Sequence, residues 1–199
     1  DTCAAATLEL AEHAYACGAS AVVLSPPYYF PAGQPELLSW LRRLVPRISL
    51  PVVLYNIPKC SSGVAFDCGT VRAALELGGG GKVLGLKDSS GSMQALHQLL
   101  AEVKASRPEF SLLVGPEDLA GDGALFGADG AVPGMANLTP RLFVDLHEAA
   151  ARGDAGAARG LQLRVLAQRR ALYTIGKYES KQVKALKAAL SLLGVCGDR

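Results

Sequence analysis

Five short apolar runs, separated by stretches with helical periodicity, constrain the fold of this 199-residue chain more than any other feature. The runs end near Ser25, Tyr55, Lys87, Gly115 and Gly134, and the first three gaps are each about 30 residues, the size of one strand–helix–strand unit. None of the runs alternates polar and apolar residues, which predicts parallel strands buried on both faces of a sheet. The sequence therefore predicts an α/β fold of repeated strand–helix units.

Repeated units of this size form either a doubly wound open sheet or a (β/α)8 TIM barrel. No G-x-G-x-x-G motif follows a predicted strand, and the four glycines at residues 78–81 precede one, which favours the barrel. A closed barrel needs eight strands and about 250 residues, whereas this sequence supplies five strands. We therefore predict an N-terminally truncated barrel over residues 1–138, followed by the last barrel helix and a C-terminal helical extension over residues 139–199.

Composition argues against several other classes of protein. Half of the residues are hydrophobic, 19% are charged and the net charge is +2, so there is no electrostatic basis for binding nucleic acid or an anionic membrane. The apolar runs are far shorter than the roughly 20 residues of a membrane-spanning helix. The five cysteines form no C-x-x-C pair and the three histidines lie in helical stretches away from the strand ends, so we expect no metal site and a reducing, cytoplasmic location.

The carboxyl ends of the strands are where active sites form in such barrels, so polar side chains there are candidates for function. Lys87 ends the third run, and Tyr55 ends the second run 32 residues earlier. Neighbouring strands lie about 4.8 Å apart, so the two side chains can project over the same strand ends. A lysine partly removed from water can be a neutral nucleophile, and a nearby phenol can move protons for it. The alternative is that Lys87 simply extends into solvent and that Tyr55 is a packing residue with its hydroxyl at the surface. Because both residues end neighbouring strands, this alternative is the weaker one.

The residues after Lys87 have a simpler interpretation. Asp88 and Ser89 are residue types that begin helices, and we predict that they start the helix that follows the third strand.

At this point the motifs resemble a known family. "LYNIP", followed about thirty residues later by "GLKDSSG", is similar to the dihydrodipicolinate synthase / N-acetylneuraminate lyase family. "GASAVVLSPPYYFP" resembles the family's strand that ends in P-Y-Y, "FGADGAVPGMANLTP" resembles its last strand, and "KALKAAL" resembles its C-terminal extension. The resemblance implies a (β/α)8 class I aldolase that binds pyruvate or another 2-oxo acid as a Schiff base, together with an aldehyde, and that needs no cofactor.

The resemblance also implies roles for three residues near these motifs. Lys87 would be the Schiff-base lysine, and Tyr55 would relay protons to and from the substrate. Tyr29 matches the second tyrosine of the P-Y-Y motif, which in some members reaches into a neighbouring subunit's site. Family members are commonly homotetramers built from dimers, so we expect a homo-oligomer, either a dimer or a tetramer.

Three further residues match substrate-binding positions of the family. Val132 would turn its backbone carbonyl toward the pyruvate-derived group, and Gly115 and Glu117 would lie near the substrate tail.

Two departures from the family pattern bear on the substrate. The family's early G-[TS]-T-G-E loop, which holds the 2-oxo acid carboxylate, has no counterpart here, in accord with the predicted truncation. Dihydrodipicolinate synthases carry an arginine just after Y-N-x-P, where this chain has Lys59 and Cys60, and a lysine lacks the bidentate fork of an arginine. We therefore expect an aldolase for a 2-keto-3-deoxy sugar acid or 4-hydroxy-2-oxoglutarate. The alternatives are a 4-hydroxy-tetrahydrodipicolinate synthase of lysine biosynthesis, a non-catalytic 2-oxo acid-binding protein, or a barrel without a small-molecule site.

Overall fold

The computed structural model of the protein describes residues 2–197, and within them five strands alternate with helices, as predicted. The strands are β1 (Val22–Leu24), β2 (Val52–Asn56), β3 (Val83–Asp88), β4 (Ser111–Val114) and β5 (Gly130–Ala131). The α-helices are α1 (Ala4–Ala16), α2 (Gln34–Leu44), α3 (Cys68–Leu75), α4 (Met93–Leu99), α5 (Ala120–Leu125), α6 (Pro140–Ala151), α7 (Ala155–Tyr173) and α8 (Lys181–Leu192). A π-helical turn, Leu100–Lys104, continues α4.

The chain forms two compact units that divide between Leu113 and Val114, inside β4. The boundary predicted between residues 138 and 139 separates the barrel from the C-terminal extension. It is a different kind of division from the one between the two compact units, and it stays a prediction. No helix within residues 2–197 combines the length and the apolar character needed to cross a membrane.

The strands of the first unit follow chain order, β1-β2-β3-β4. β1 pairs with β2 in parallel, with Leu24 opposite Leu54, and β2 pairs with β3 in parallel, with Tyr55 opposite Lys87. Parallel neighbours that follow each other in sequence are joined by helical crossovers, so each strand and the next form one strand–helix–strand unit.

The two faces of this sheet differ, in contrast to the prediction that both would be buried. Along β2, Val52 and Leu54 are fully buried, whereas Val53 and Tyr55, which point the other way, are partly exposed. The helices account for the buried face, since α2 alone contributes three fully buried leucines to the core of this unit. The opposite face remains accessible, as Val23 shows with 62% of its surface exposed.

Gly85 allows a close approach between β3 and β4. A Cβ atom at Gly85 would overlap the backbone carbonyl of Ser111 in β4 and lie 2.9 Å from the Cβ of Ser111. Glycine inside a strand commonly marks such an approach of another backbone, and backbone atoms cannot move aside as the end of a flexible side chain can.

The second unit is mainly helical and has its own apolar core. The Val132 backbone N–H donates to the carbonyl of Val114 at 2.8 Å, which joins the end of β5 to the end of β4. Helix α6 buries Phe143 and Leu146, and α7 buries Val165 and Tyr173, in one cluster.

We expect Gly85→Ala to lower the free energy of unfolding by about 1–3 kcal/mol, because the added methyl group forces β3 and β4 apart. The measurement is the urea midpoint followed by circular dichroism. Gly160→Ala, in the interior of α7 with open space around the glycine, is the control and should be stabilising by about 0.5–1 kcal/mol. An equal effect of the two substitutions would contradict this account of Gly85.

Candidate active site

An irregularity in the pairing of β2 with β3 sets which side chains meet at the strand ends. Val52 pairs with Val83, but Val53 pairs with Gly85, so Leu84 is an additional residue in β3. Beyond this bulge, Tyr55 lies opposite Lys87. If Leu84 instead paired regularly with Val53, Lys87 would lie opposite Asn56, whose side chain points to the other face.

Lys87 and Tyr55 are in direct contact. The Lys87 Nζ atom lies over the Tyr55 ring, 4.4 Å from the ring centroid. Both side chains are half-buried, on the accessible face of the sheet at the carboxyl ends of their strands. The structure therefore brings together the amine and the phenol that the sequence predicted as partners.

Ser89 adds a third polar group that the sequence analysis assigned only to helix initiation. Its hydroxyl lies 3.4 Å from the Tyr55 hydroxyl, as a donor to it, and its backbone N–H donates to the Asn56 carbonyl at 2.7 Å. The prediction that Asp88 and Ser89 begin the next helix is wrong, because α4 starts at Met93 with Ser92 as its N-cap. The sequence did contain a signal for Ser89: it lies two residues beyond Lys87, and residues two apart in an extended chain point to the same face.

Asp88 points to the opposite, buried face and is 5% exposed. Its Oδ2 atom accepts a hydrogen bond from the Ser90 hydroxyl at 2.7 Å. Burial raises the pKa of the Asp88 carboxyl, and hydrogen bonds from Ser90 and Asn56 oppose this effect. Asp88 is therefore a buried group behind the site, since Lys87 projects from the other face.

Asn56, beside Asp88 in the register, fixes the chain that leaves β2. Its amide nitrogen donates to the Phe66 carbonyl at 3.0 Å, and its amide oxygen accepts from the Phe66 N–H at 2.9 Å. This pair of bonds closes the loop of residues 57–65, which contains Cys60, on the same strand that carries Tyr55.

Tyr29 lies in the loop after β1 and is 80% exposed. Its φ of 88° is unusual for a residue other than glycine. Its N–H donates to the Ser62 hydroxyl at 3.1 Å, and its ring packs edge-on against Phe30. The contacts of Tyr29 in this structure are thus with the surrounding loops, and its phenol is presented outward.

The other predicted substrate-binding residues belong to the second unit. Val132 is 47% exposed and Gly115 is half-buried just after β4, whereas Glu117 is buried at 7%. The carboxylate of Glu117 accepts hydrogen bonds from the Met135 N–H and the Tyr173 hydroxyl. Val132 and Gly115 can therefore offer backbone groups to a ligand, while the Glu117 side chain already has partners.

Within residues 2–197 no group of three or more histidine, cysteine, aspartate or glutamate side chains is arranged to hold a metal ion. The five cysteines, all within these residues, form no disulfide with one another.

Parallel strand–helix units with polar side chains at the carboxyl ends of neighbouring strands define a class of protein, the α/β proteins whose sites lie at the strand ends. Comparison with known proteins gives the family. Residues 2–198 match the profile of the dihydrodipicolinate synthetase family, and the chain belongs to that family.

Individual relatives carry two kinds of name. The chain is 31% identical over 188 residues to a probable 2-dehydro-3-deoxy-D-pentonate aldolase of Escherichia coli, a match that covers 94% of this chain and 60% of the relative. Among solved structures, dihydrodipicolinate synthase from Bacteroides thetaiotaomicron is 40% identical with a TM-score of 0.92, and the match covers this whole chain and 65% of that one. YagE of Escherichia coli, solved in complex with pyruvate, is 26% identical with a TM-score of 0.78, over 98% of this chain and 73% of that one.

The chain thus spans about 60% of the length of the curated relatives it matches. The likeness confirms the predicted fold class, an α/β protein with five parallel strands that corresponds to part of the barrel of this family.

The buried carboxyl of Asp88 predicts a pH dependence of stability. Because its pKa is raised in the folded state, Asp88 stabilises the fold fully at acidic pH, and this contribution is lost as the pH rises through the raised pKa. Asp88→Asn removes the ionisation, so the free energy of unfolding of the variant relative to wild type should increase between about pH 4 and pH 7. Urea unfolding across this range tests it, with Asp122→Asn on the exposed side of α5 as control. A difference between Asp88→Asn and wild type that stays constant with pH would contradict the prediction.

Proposed function

We propose that this protein is a Schiff-base-forming lyase that acts on pyruvate or a related 2-oxo acid. The contact between Lys87 and Tyr55 at neighbouring strand ends carries the proposal. Membership of the dihydrodipicolinate synthetase family supports it, as does a relative of known structure that was solved in complex with pyruvate.

The proposed chemistry follows from these groups. The Lys87 amine attacks the 2-oxo carbon. Its nitrogen gives up one proton and the carbonyl oxygen takes up one, which gives a neutral carbinolamine. A second proton converts the hydroxyl group into water, which leaves as the iminium forms. Tyr55 is the proton donor and acceptor for these steps, and the Ser89 hydroxyl, within reach of the Tyr55 hydroxyl, can hand protons on to it. The iminium then accepts the electron pair of the carbon–carbon bond one carbon removed from it, and that bond breaks as the hydroxyl on its far carbon gives up its proton to Tyr55. The products are an aldehyde and an enamine on Lys87. Protonation of the enamine and hydrolysis of the resulting iminium release the 2-oxo acid, and no cofactor is needed.

The loop after β2 favours a sugar-acid type of substrate. Cys60 lies exposed at the end of the turn Pro58–Cys60, which follows β2, at the spacing where dihydrodipicolinate synthases resembling this chain carry an arginine. A neutral thiol offers no bidentate contact to the carboxylate of an aldehyde substrate. We therefore propose a 2-keto-3-deoxy sugar acid or 4-hydroxy-2-oxoglutarate as substrate, in accord with the name of the relative from Escherichia coli. Activity as a 4-hydroxy-tetrahydrodipicolinate synthase is the second candidate, supported by the structure from Bacteroides thetaiotaomicron.

The remaining predicted residues complete the proposal. Val132 offers its carbonyl to the pyruvate-derived group, and Gly115 and Glu117 contribute to the region of the substrate tail. The outward-facing phenol of Tyr29 suits a subunit contact, and we propose a homo-oligomer. Cysteines that form no disulfide within residues 2–197 suit the reducing environment of the cytoplasm.

Incubation with pyruvate and borohydride should add one 1-carboxyethyl group to Lys87, because hydride reduces the iminium to a stable secondary amine. Peptide mass spectrometry locates the modification. Lys87→Arg should abolish trapping, since a guanidinium does not form the imine, whereas the control Lys82→Arg should trap as wild type does. An adduct on another lysine would contradict the assignment, and pyruvate binding without an adduct would favour a non-catalytic binding protein.

Tyr55→Phe separates the two functions of the tyrosine. Phenylalanine keeps the ring beside Lys87 but lacks the hydroxyl, so trapping should slow by about 10²–10⁴-fold through loss of proton transfer. The measurement is the rate of adduct formation at saturating pyruvate, with Tyr15→Phe on exposed α1 as control. A rate equal to wild type would exclude Tyr55 as the proton relay.

A further inference from the structure

The Glu117 carboxylate is the centre of a buried network in the second unit. Its Oε1 atom accepts hydrogen bonds from the Tyr173 hydroxyl at 2.9 Å and from the Met135 backbone N–H at 2.7 Å. Its Oε2 atom lies 3.8 Å from the Arg169 Nε atom, and its backbone carbonyl accepts from the Gln162 amide at 3.0 Å. Hydrogen bonds to a buried carboxylate are stronger than those between neutral groups, and leaving such a group without partners is costly.

The network joins three segments that are distant in sequence. Glu117 begins the turn between β4 and α5, Met135 follows β5, and Tyr173 ends α7. Burial and the neighbouring Glu117 carboxylate raise the pKa of Tyr173. The Tyr173 hydroxyl therefore stays protonated at neutral pH and keeps its role as donor.

The segment of residues 132–135 is held at both of its ends. At one end the Val132 N–H donates to the Val114 carbonyl at 2.8 Å, and at the other the Met135 N–H donates to Glu117. Between them Gly134 packs tightly, since a Cβ atom there would lie 3.3 Å from Glu117 Oε1 and 3.6 Å from the Tyr173 hydroxyl. A side chain at Gly134 would therefore crowd both members of the network, and glycine avoids this.

We infer that Glu117 and Tyr173 are positioning residues that fix residues 132–135, and so orient the backbone carbonyl of Val132. The inference rests on the proposed function, in which that carbonyl faces the pyruvate-derived group. The three groups Glu117, Tyr173 and the Met135 N–H are called the Glu117 clamp below. The side chain of Glu117 then serves the site by holding the backbone, and Tyr173, which the sequence analysis did not single out, becomes part of the functional machinery.

Hydrogen exchange tests the clamp without any substrate. Tyr173→Phe removes one donor and should make the Met135 amide exchange about tenfold faster. Tyr178→Phe, the same change at a tyrosine that is 76% exposed, is the matched control and should leave this amide unchanged. Glu117→Ala should accelerate exchange more than Tyr173→Phe, whereas Glu117→Gln, which keeps an acceptor oxygen, should restore most of the protection. An exchange rate of the Met135 amide that is unchanged in both Tyr173→Phe and Glu117→Ala would overturn the inference.

The pyruvate dependence of borohydride trapping separates positioning from simple packing. In Tyr173→Phe the pyruvate concentration for half-maximal trapping at Lys87 should rise several-fold, while trapping at saturation stays as in wild type. The exposed control Tyr178→Phe should keep the wild-type value on the same measure. Faster exchange with unchanged pyruvate dependence would overturn the positioning role. If the wild-type protein traps no pyruvate, the proposed function fails. The exchange rate of the Met135 amide in the variants then still shows whether the Glu117 clamp holds residues 132–135.

Discussion

Tyr55 and Lys87 meet because β2 and β3 pair in parallel with one additional residue in β3. In a strand, successive side chains point to opposite faces, so the register decides which groups share a face. The bulge at Leu84 thereby brings an amine and a phenol to the accessible face and keeps Asp88 on the buried one. The close approach at Gly85 follows directly after the bulge and ties the same strand to β4.

The two faces of the sheet carry different polar groups at the strand ends. The accessible face carries Lys87, Tyr55 and Ser89, whose polar atoms can reach a ligand. The buried face carries Asp88, held by Ser90, and Asn56, held by the backbone of Phe66. Asn56 thus stabilises the end of β2 from the buried face through its two hydrogen bonds to Phe66.

The sequence predicted the positions of the strands and the pairing of Lys87 with Tyr55, because both depend on local features. A run of apolar residues marks a buried strand wherever it occurs, and the repeat of about 30 residues brings the ends of successive strands together. The bulge escaped prediction because Leu84 is apolar like its neighbours, and only Gly85 hinted at an irregular strand. The start of α4 was not predicted correctly because four residues, from Ser89 to Ser92, have similar preferences for turns and helix caps. The Glu117 clamp could not be predicted, since 56 positions separate Glu117 from Tyr173 and no local pattern relates them.

The chain order of the strands in the first unit has a consequence for how that unit is made. Each strand pairs with the one synthesised before it, so every pairing closes a loop of only about 30 residues, and the entropic cost of closure stays small. As the chain leaves the ribosome, β1 and β2 can pair before β3 has been translated, and each finished strand offers an edge to the next. Each pairing in the unit therefore joins neighbouring segments of the chain, and the contact between Tyr55 and Lys87 can form only once the third strand has been synthesised.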